Sequence, residues 1–256
     1  MTSPDEPPVL AHTRGHIARV RLNCPARRNA LGNQAIDALE QAFKSAAAHP
    51  DVRVVVLEAT PSPVFCAGAA LDELDNGSLT PARFHDMLDR VAACPLPTVA
   101  AISGDCHGGG AELPLACDFR LAVDTLRVRV PATRIGLCYP PRGIRRYTER
   151  LGPVGAKRIL LAGETLTSDT LLSLGYLDRV ADAAGLAETA QAFAEHLATL
   201  APLATRASKA LIDQAAQGTW DDTVAQAWDT RCARSQDLQR GLSAVRARSQ
   251  PKFKGD

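Results

Sequence analysis

The sequence predicts an α/β protein whose C-terminal third is largely helical. Short, continuously apolar stretches, typical of buried strands, alternate with segments whose apolar residues recur at helical spacing. Glycine-rich turns follow two of these stretches, and after residue 165 the strand pattern fades into long helical patterns. The 256 residues are enough for one sizeable hydrophobic core.

The predicted elements alternate regularly through the first half of the chain. Strands are expected at residues 17–22, 53–58, 98–102 and 119–123. Helices are expected at residues 34–48, 81–94 and 111–117, and in the C-terminal third at residues 186–200, 204–216 and 220–248. We divide the chain into a proline-rich flexible tail (1–8), a core (9–195) and a C-terminal helical region (196–256).

Composition excludes several classes of partner. The formal net charge of +1 gives no overall field for nucleic acid or an anionic membrane. No apolar run approaches the roughly 18 residues of a membrane span, and the first residues do not resemble a signal peptide. Seven scattered cysteines without a C-x-x-C pair favour a reducing cytoplasm over a disulfide framework, and no metal site is predicted.

The first glycine turn has the sequence FCAGAAL at residues 65–71. Glycine permits backbone angles closed to other residues, and the flanking alanines allow a ligand to approach closely. Such a turn can direct a free N–H into a cleft, although a tight loop without a ligand has the same composition.

The second turn, GDCHGGGAEL at residues 104–113, opens a predicted helix. Unpaired N–H groups at a helix start suit an anion or an oxyanion. The spacing is neither that of a dinucleotide-binding fingerprint nor that of a P-loop, and tight helix–sheet packing is the structural alternative. Glu112 in this turn is either a general acid/base or an acidic residue that complements the helix dipole.

Together with four other segments in the same order, these turns resemble the crotonase superfamily, whose namesake is enoyl-CoA hydratase. The segments are NCPARRNAL (23–31), FCAGA (65–69), GGGAEL (108–113), RLGP (150–153), LGYLDRV (174–180) and PKFKG (251–255).

The resemblance implies a spiral of β-β-α turns whose C-terminal helices assemble a homotrimer or a dimer of trimers. It implies an acyl-CoA substrate, with coenzyme A as part of the substrate and no tightly bound cofactor. The N–H groups of Ala69 and Gly109 would hold the thioester oxygen, and Glu112 would be the acid/base. The residues implied to lie near coenzyme A are Arg28, Ala30, Ala67, Ala69, Leu71, Phe253 and Lys254. Arg28 and Lys254 are otherwise ordinary solvated charges.

The chain departs from the family pattern at one important position. Hydratases of this superfamily use a second glutamate, and Ala132 stands at that position here. Loss of a general acid/base typically costs about 10²–10⁴ in rate, which places efficient two-glutamate hydration in doubt.

Three residues could assist instead: His107, Tyr139 and Arg142. Each has a structural alternative, as a packed histidine, a stacked tyrosine and an ion-paired arginine respectively.

The sequence therefore favours enoyl-CoA hydratase/isomerase-type chemistry with a single glutamate and an oxyanion hole that stabilises an enolate. The alternatives are a CoA-ester decarboxylase or retro-Claisen enzyme, a non-catalytic acyl-CoA binder on the same scaffold, and an enzyme whose substrate is carried by an acyl-carrier protein.

Overall fold

A computed structural model describes residues 6–256 of the chain. Most of the tail predicted at residues 1–8 lies outside the described residues. The strands are β1 (Val9–Arg14), β2 (Ile17–Leu22), β3 (Val54–Ala59), β4 (Val64–Cys66), β5 (Thr98–Ile102), β6 (Asp105–His107), β7 (Phe119–Val123), β8 (Arg127–Arg129), β9 (Thr165–Thr167) and β10 (Arg179–Ala181). The helices are α1 (Asn33–Ala48), α2 (Leu71–Asp75), α3 (Pro81–Ala92), α4 (Gly109–Glu112), α5 (Pro141–Ala156), α6 (Ser168–Ser173), α7 (Leu186–Ala198), α8 (Pro202–Gln217), α9 (Asp222–Ala233) and α10 (Gln236–Ala247).

The strands form two sheets that the chain visits in alternation. The larger sheet has the order β1-β2-β3-β5-β7-β10, and the smaller has the order β4-β6-β8-β9. From β3 to β8 each turn of the chain adds one strand to the large sheet and then one to the small sheet, with parallel pairing within each. This arrangement is the predicted spiral, and it confirms the predicted fold class.

The large sheet is buried because its central strands are apolar along their whole length. Every residue of β5 is buried, and so are all residues of β3 except Glu58. Continuously apolar strands of this kind are typical of parallel sheets covered on both faces. Helix α7 contributes the buried residues Ala190 and Ala194 to this core.

The C-terminal helices are joined to the core by a partly buried ion pair. The Lys209 ammonium group on α8 lies 2.8 Å from a carboxylate oxygen of Asp118 and donates to the Leu96 carbonyl. The same Asp118 oxygen accepts hydrogen bonds from Thr98 at the start of β5. The helical region is therefore fixed to the N-terminal ends of the central strands β5 and β7.

The last residues of the chain fold back on α10. The buried Asp237 carboxylate accepts hydrogen bonds from the backbone N–H groups of Lys254 (2.9 Å) and Gly255 (2.7 Å). The Phe253 carbonyl in turn accepts a hydrogen bond from Arg53, just before β3.

The sequence prediction was wrong about several short elements. It missed β4, β6 and β8, which have three residues each and are too short for a periodic pattern. It also missed β9 and β10, so the strands do not end at residue 165. No helix of the described residues is long and apolar enough to cross a membrane.

Two predicted helices are broken. The helix expected at residues 111–117 begins at Gly109 and ends at Glu112, because Pro114 lacks the N–H that would continue it. The helix expected at residues 220–248 is two helices, since the Ser235 hydroxyl caps α10 by accepting from Leu238 N–H.

Candidate active site

The two glycine turns lie side by side because they follow neighbouring parallel strands of the small sheet. β4 pairs with β6, and their residues Cys66 and Cys106 are in register. Parallel strands end at the same edge of a sheet, so the turns after β4 and β6 meet there. The sequence analysis placed each turn directly after a long apolar strand. In the structure, a short strand of the small sheet, β4 or β6, separates the long strand from the turn.

The two turns approach so closely that side chains cannot fit between them. A Cβ on Gly68 would lie 2.9 Å from the Gly109 nitrogen, and the φ of Gly68 is +94°. A Cβ on Gly110 would lie 2.1 Å from the Cys66 carbonyl oxygen. Glycine is therefore required at both positions, and the two backbones are in direct contact.

The unpaired backbone N–H groups at this contact include those of Ala69 and Gly109. Ala69 forms a parallel bridge with Leu31, in which Leu31 N–H donates to Gly68 and Ala70 N–H donates to Leu31. These two bonds use the Gly68 carbonyl and the Ala70 N–H, and they leave the N–H of Ala69 itself unused. Gly109 is the first residue of α4, where the helix supplies no acceptor. Within residues 6–256, neither N–H group meets an acceptor.

Glu112 lies at the end of α4 and is completely buried. One carboxylate oxygen, Oε1, forms an ion pair with the Arg146 guanidinium on α5. The other, Oε2, accepts a hydrogen bond from the Tyr139 hydroxyl at 2.7 Å and lies 3.3 Å from Nε2 of His85. Arg146 also binds Asp89 on α3 at 2.5 Å, so the cluster extends from α4 to α3 and α5.

These partners keep Glu112 ionised. Burial alone would raise the pKa of the carboxyl group. The facing His85 ring, the Arg146 guanidinium and the Tyr139 hydroxyl outweigh burial, and the pKa of Glu112 lies below its ordinary value. Burial raises the pKa of Tyr139 far above its usual range, and the nearby Tyr147 and Glu112 raise it further, so this hydroxyl is a neutral donor.

The start of α5 is packed directly on this carboxylate. A Cβ on Gly143 would lie 2.3 Å from the Tyr139 ring and 2.8 Å from Oε2 of Glu112. The two prolines before Gly143 start the helix here, with Pro141 as its first residue. The positive end of a helix stabilises a nearby anion, which adds to the effect of Arg146.

The N-terminal segment of the predicted coenzyme A site borders the first turn. The Arg28 carbonyl accepts from Ala67 N–H at 3.0 Å, while the Arg28 side chain is exposed. Ala30 is half-buried beside this contact, and Leu71 is 72% exposed at the start of α2. Of the predicted residues, Arg28 and Ala30 therefore lie beside the turn that contains Ala67 and Ala69.

The remaining predicted residues are more scattered. His107 is half-buried at the end of β6, and Arg142 binds Asp86 on α3 at 2.6 and 2.8 Å. Phe253 and Lys254 lie in the tail against α10 of the same chain. Their role at coenzyme A stays a prediction.

Ala132, which the resemblance puts at the position of a second glutamate, is buried. It is 4% exposed and begins a short 3-10 helix after β8, the strand next to β6. Its position is therefore at the same edge of the small sheet as the second glycine turn, and its methyl group has no proton to exchange. No cluster with the composition of a metal site occurs in residues 6–256.

His85 and Arg146 were not predicted as site residues. The only sequence signal for His85 is a polar residue beside the buried Phe84 and Leu88 of α3, which is equally typical of a packed core histidine. Arg146 lies on α5, but its partner Glu112 is 34 residues away in the chain.

Comparisons with known proteins identify the family of this chain. The model of the enoyl-CoA hydratase/isomerase family matches residues 12–256. The chain belongs to the enoyl-CoA hydratase/isomerase family. It is therefore a member of the crotonase superfamily, as the six segments predicted.

Individual family members are similar over nearly their whole length. The mitochondrial enoyl-CoA hydratase domain-containing protein 2 of Bos taurus is 31% identical, with 97% of this chain and 88% of the relative covered. A probable enoyl-CoA hydratase of Mycobacterium tuberculosis is 32% identical, over 93% of this chain and 96% of the relative. The crystal structure of an enoyl-CoA hydratase/carnithine racemase from Magnetospirillum magneticum superimposes with a TM-score of 0.91 at 30% identity, covering 97% of this chain and 96% of that chain.

The close contact of the two turns makes a specific prediction for Gly110. The Gly110→Ala variant should lose at least about 1–3 kcal/mol of unfolding free energy, because its Cβ would overlap the Cys66 carbonyl. Gly241→Ala in α10 is the matched control, since its Cβ would meet only the Phe253 ring at 3.5 Å. We expect it to be neutral or stabilising, as in other helix interiors. Urea unfolding measures both, and equal stability of Gly110→Ala and the parent would contradict the contact.

The pKa shifts predict how the stability contributed by Glu112 depends on pH. A carboxyl whose pKa is lowered in the folded state stabilises the fold above its unfolded pKa of about 4.3, and this contribution disappears as the pH falls through the folded pKa. His85, whose pKa is raised mainly by Glu112 against the effect of burial, contributes below about 6.5 and loses its contribution as the pH rises through its folded pKa.

We therefore expect Glu112→Gln to lose the most stability near neutral pH, by about 3–5 kcal/mol, because Arg146 and His85 lose their partner. The difference from the parent should shrink as the pH falls below about 4.3, and it should disappear as the pH passes through the lowered folded pKa of Glu112, where the parent carboxyl becomes neutral as well. It should shrink partly at alkaline pH, as His85 becomes neutral. A difference that does not vary with pH in chemical unfolding would show that Glu112 is not ionised in the folded protein.

Proposed function

We propose that this chain acts on an acyl-CoA thioester and moves its double bond through an enolate, with Glu112 as the single acid/base. The observation that carries the proposal is the pair of unpaired N–H groups, on Ala69 and Gly109, at the contact between two glycine turns. Both would donate to the thioester oxygen, where negative charge accumulates in the enolate. Removal of one such donor typically costs about 2.7–4 kcal/mol of transition-state stabilisation.

An ionised Glu112 suits the first step of this reaction. It would take a proton from carbon, leaving the electron pair of the broken C–H bond in the enolate, and return the same proton to another carbon of the acyl chain. Isomerisation needs only this one residue, whereas efficient hydration in this superfamily uses a second carboxylate, and Ala132 supplies none. Proton acceptance at Oε2 requires that the Tyr139 hydroxyl releases this oxygen.

A non-catalytic acyl-CoA binder is the second candidate, and one observation favours it. Glu112 is completely buried, and both of its oxygens have partners within the protein. A carboxylate held in this way would serve the fold rather than a substrate. The two functions differ in turnover and not in binding.

A panel of CoA esters tests the reaction class. The chain is incubated with enoyl-, 3-hydroxyacyl- and malonyl-type CoA esters, and the products are analysed by mass spectrometry and NMR. We expect an unchanged mass with a displaced double bond. A mass gain of water as the fast reaction, or loss of carbon dioxide, would replace isomerisation with another reaction of the superfamily. If free CoA did not compete with product formation, the acyl chain of the natural substrate would be carried by an acyl-carrier protein rather than by CoA.

The Glu112→Gln variant tests the assigned base. We expect turnover to fall by about 10²–10⁴-fold, because the amide cannot accept the substrate proton, while calorimetry shows nearly unchanged acyl-CoA binding. Glu188→Gln, at an exposed position on α7, is the control and should keep parental turnover. Assays are run below the melting temperature of each variant. Equal rates for Glu112→Gln and the parent would remove Glu112 from the mechanism.

We also propose that the C-terminal helices mediate self-association into a trimer or a dimer of trimers. Leu238, Leu242 and Val245 form one stripe of α10 and are 41%, 44% and 77% exposed. A continuous exposed apolar surface of this kind typically marks a protein–protein contact.

Light scattering should therefore give a trimeric or hexameric mass for the parent and a lower mass for Leu242→Glu/Val245→Glu. Leu172→Glu on α6, which is 43% exposed in the parent, is the control that should leave the mass unchanged. A monomeric parent at micromolar concentration would contradict the proposal.

A further inference from the structure

The His85 ring occupies a buried position with one fixed hydrogen bond. It lies on α3, and its side chain is 5% exposed. Its Nδ1 atom is 2.7 Å from the Pro81 carbonyl oxygen. A carbonyl oxygen only accepts hydrogen bonds, so Nδ1 must carry a hydrogen.

The other ring nitrogen faces a carboxylate. Nε2 lies 3.3 Å from Oε2 of Glu112, which is an ion-pair contact rather than a well-aligned hydrogen bond. If the ring were neutral, the hydrogen on Nδ1 would leave Nε2 with a lone pair directed at an anion. Two acceptors facing each other in a buried site repel, so this contact is favourable only if Nε2 is protonated as well. The ring is then an imidazolium.

The charges around the ring support the same assignment. Burial opposes the imidazolium, but Glu112 and the Pro81 carbonyl favour it more strongly, and the pKa of His85 lies above its ordinary value although Arg146 lowers it. Tyr139 contributes a neutral hydroxyl to the same Oε2, and Asp89 on α3 binds Arg146. Asp89 is also 3.5 Å from Arg142, which pairs with Asp86. The three anions Glu112, Asp89 and Asp86 are thus balanced by three cations only when His85 is charged.

We propose that His85 is protonated at neutral pH and is the positioning partner of Glu112. It fixes the charge and the orientation of that carboxylate through Oε2, while Arg146 holds Oε1. Its catalytic consequence rests on the proposed function. When Glu112 takes the substrate proton, its new O–H group lies beside an imidazolium and a guanidinium, which make it a stronger acid. The proton therefore returns readily to carbon, and His85 keeps its own proton throughout.

Histidine NMR tests the pairing without any substrate. The full chain is labelled with ¹⁵N in its six histidine rings, and substitution of the other five, one at a time, identifies the His85 signals. We expect both ring nitrogens of His85 to be protonated at neutral pH, and the ring to lose its proton at a lower pH in Glu112→Gln than in the parent. A neutral His85 ring at pH 7 in the parent, or a titration unaffected by Glu112→Gln, would overturn the proposal.

Kinetics supply a second test that a purely structural role would not satisfy. In the parent, kcat/KM should fall at alkaline pH as His85 loses its proton. His85→Gln should lower kcat by at least about tenfold at neutral pH and abolish this alkaline decrease, while leaving the acidic decrease due to Glu112. His12→Gln, at an exposed position on β1, is the control with the parental profile.

The two experiments distinguish the role of His85 from the proposed isomerase activity. A parent that turns over no CoA ester removes the proposed function, and the NMR titration still decides the His85–Glu112 pairing. An active His85→Gln variant that keeps the parental alkaline decrease would overturn the positioning role even if isomerase activity is found.

Discussion

The site depends on direct backbone contact between the turns that follow β4 and β6. Gly68 and Gly110 allow this contact, because a Cβ at either position would overlap backbone atoms of the opposite turn. The small sheet brings the turns together, and the parallel pairing of β4 with β6 fixes their register. Donors held by backbone in this way need no reorganisation when charge develops on a bound oxygen, which is the main requirement for stabilising an oxyanion.

A second constraint concerns the charges behind these turns. Glu112 is buried at the point where α3, α4 and α5 meet. Its partners are His85 on α3 and Arg146 on α5, and Arg146 also binds Asp89 on α3. Removing a carboxylate from water is costly unless paired cations and hydrogen bonds compensate, and here they do so from both sides. The resemblance predicts a second glutamate at the position of Ala132, whose methyl group adds no charge to the site.

The sequence predicted the features that depend on local patterns. The buried strands of the large sheet were predicted from continuous apolar runs, and the glycine turns from the residue types that a close backbone contact requires. The small sheet was missed because its strands have three residues each. The His85–Glu112–Arg146 cluster was missed for another reason. Its members are far apart in the chain, so only the packing of α3 and α5 against α4 brings them together.

A crystal structure of the chain with a bound saturated acyl-CoA, which cannot undergo double-bond migration, measures directly whether the two turns bind a thioester oxygen. We expect the thioester oxygen to lie within about 2.7–3.1 Å of both the Ala69 and the Gly109 nitrogen. A thioester bound elsewhere, or an oxygen that meets neither amide, would contradict it.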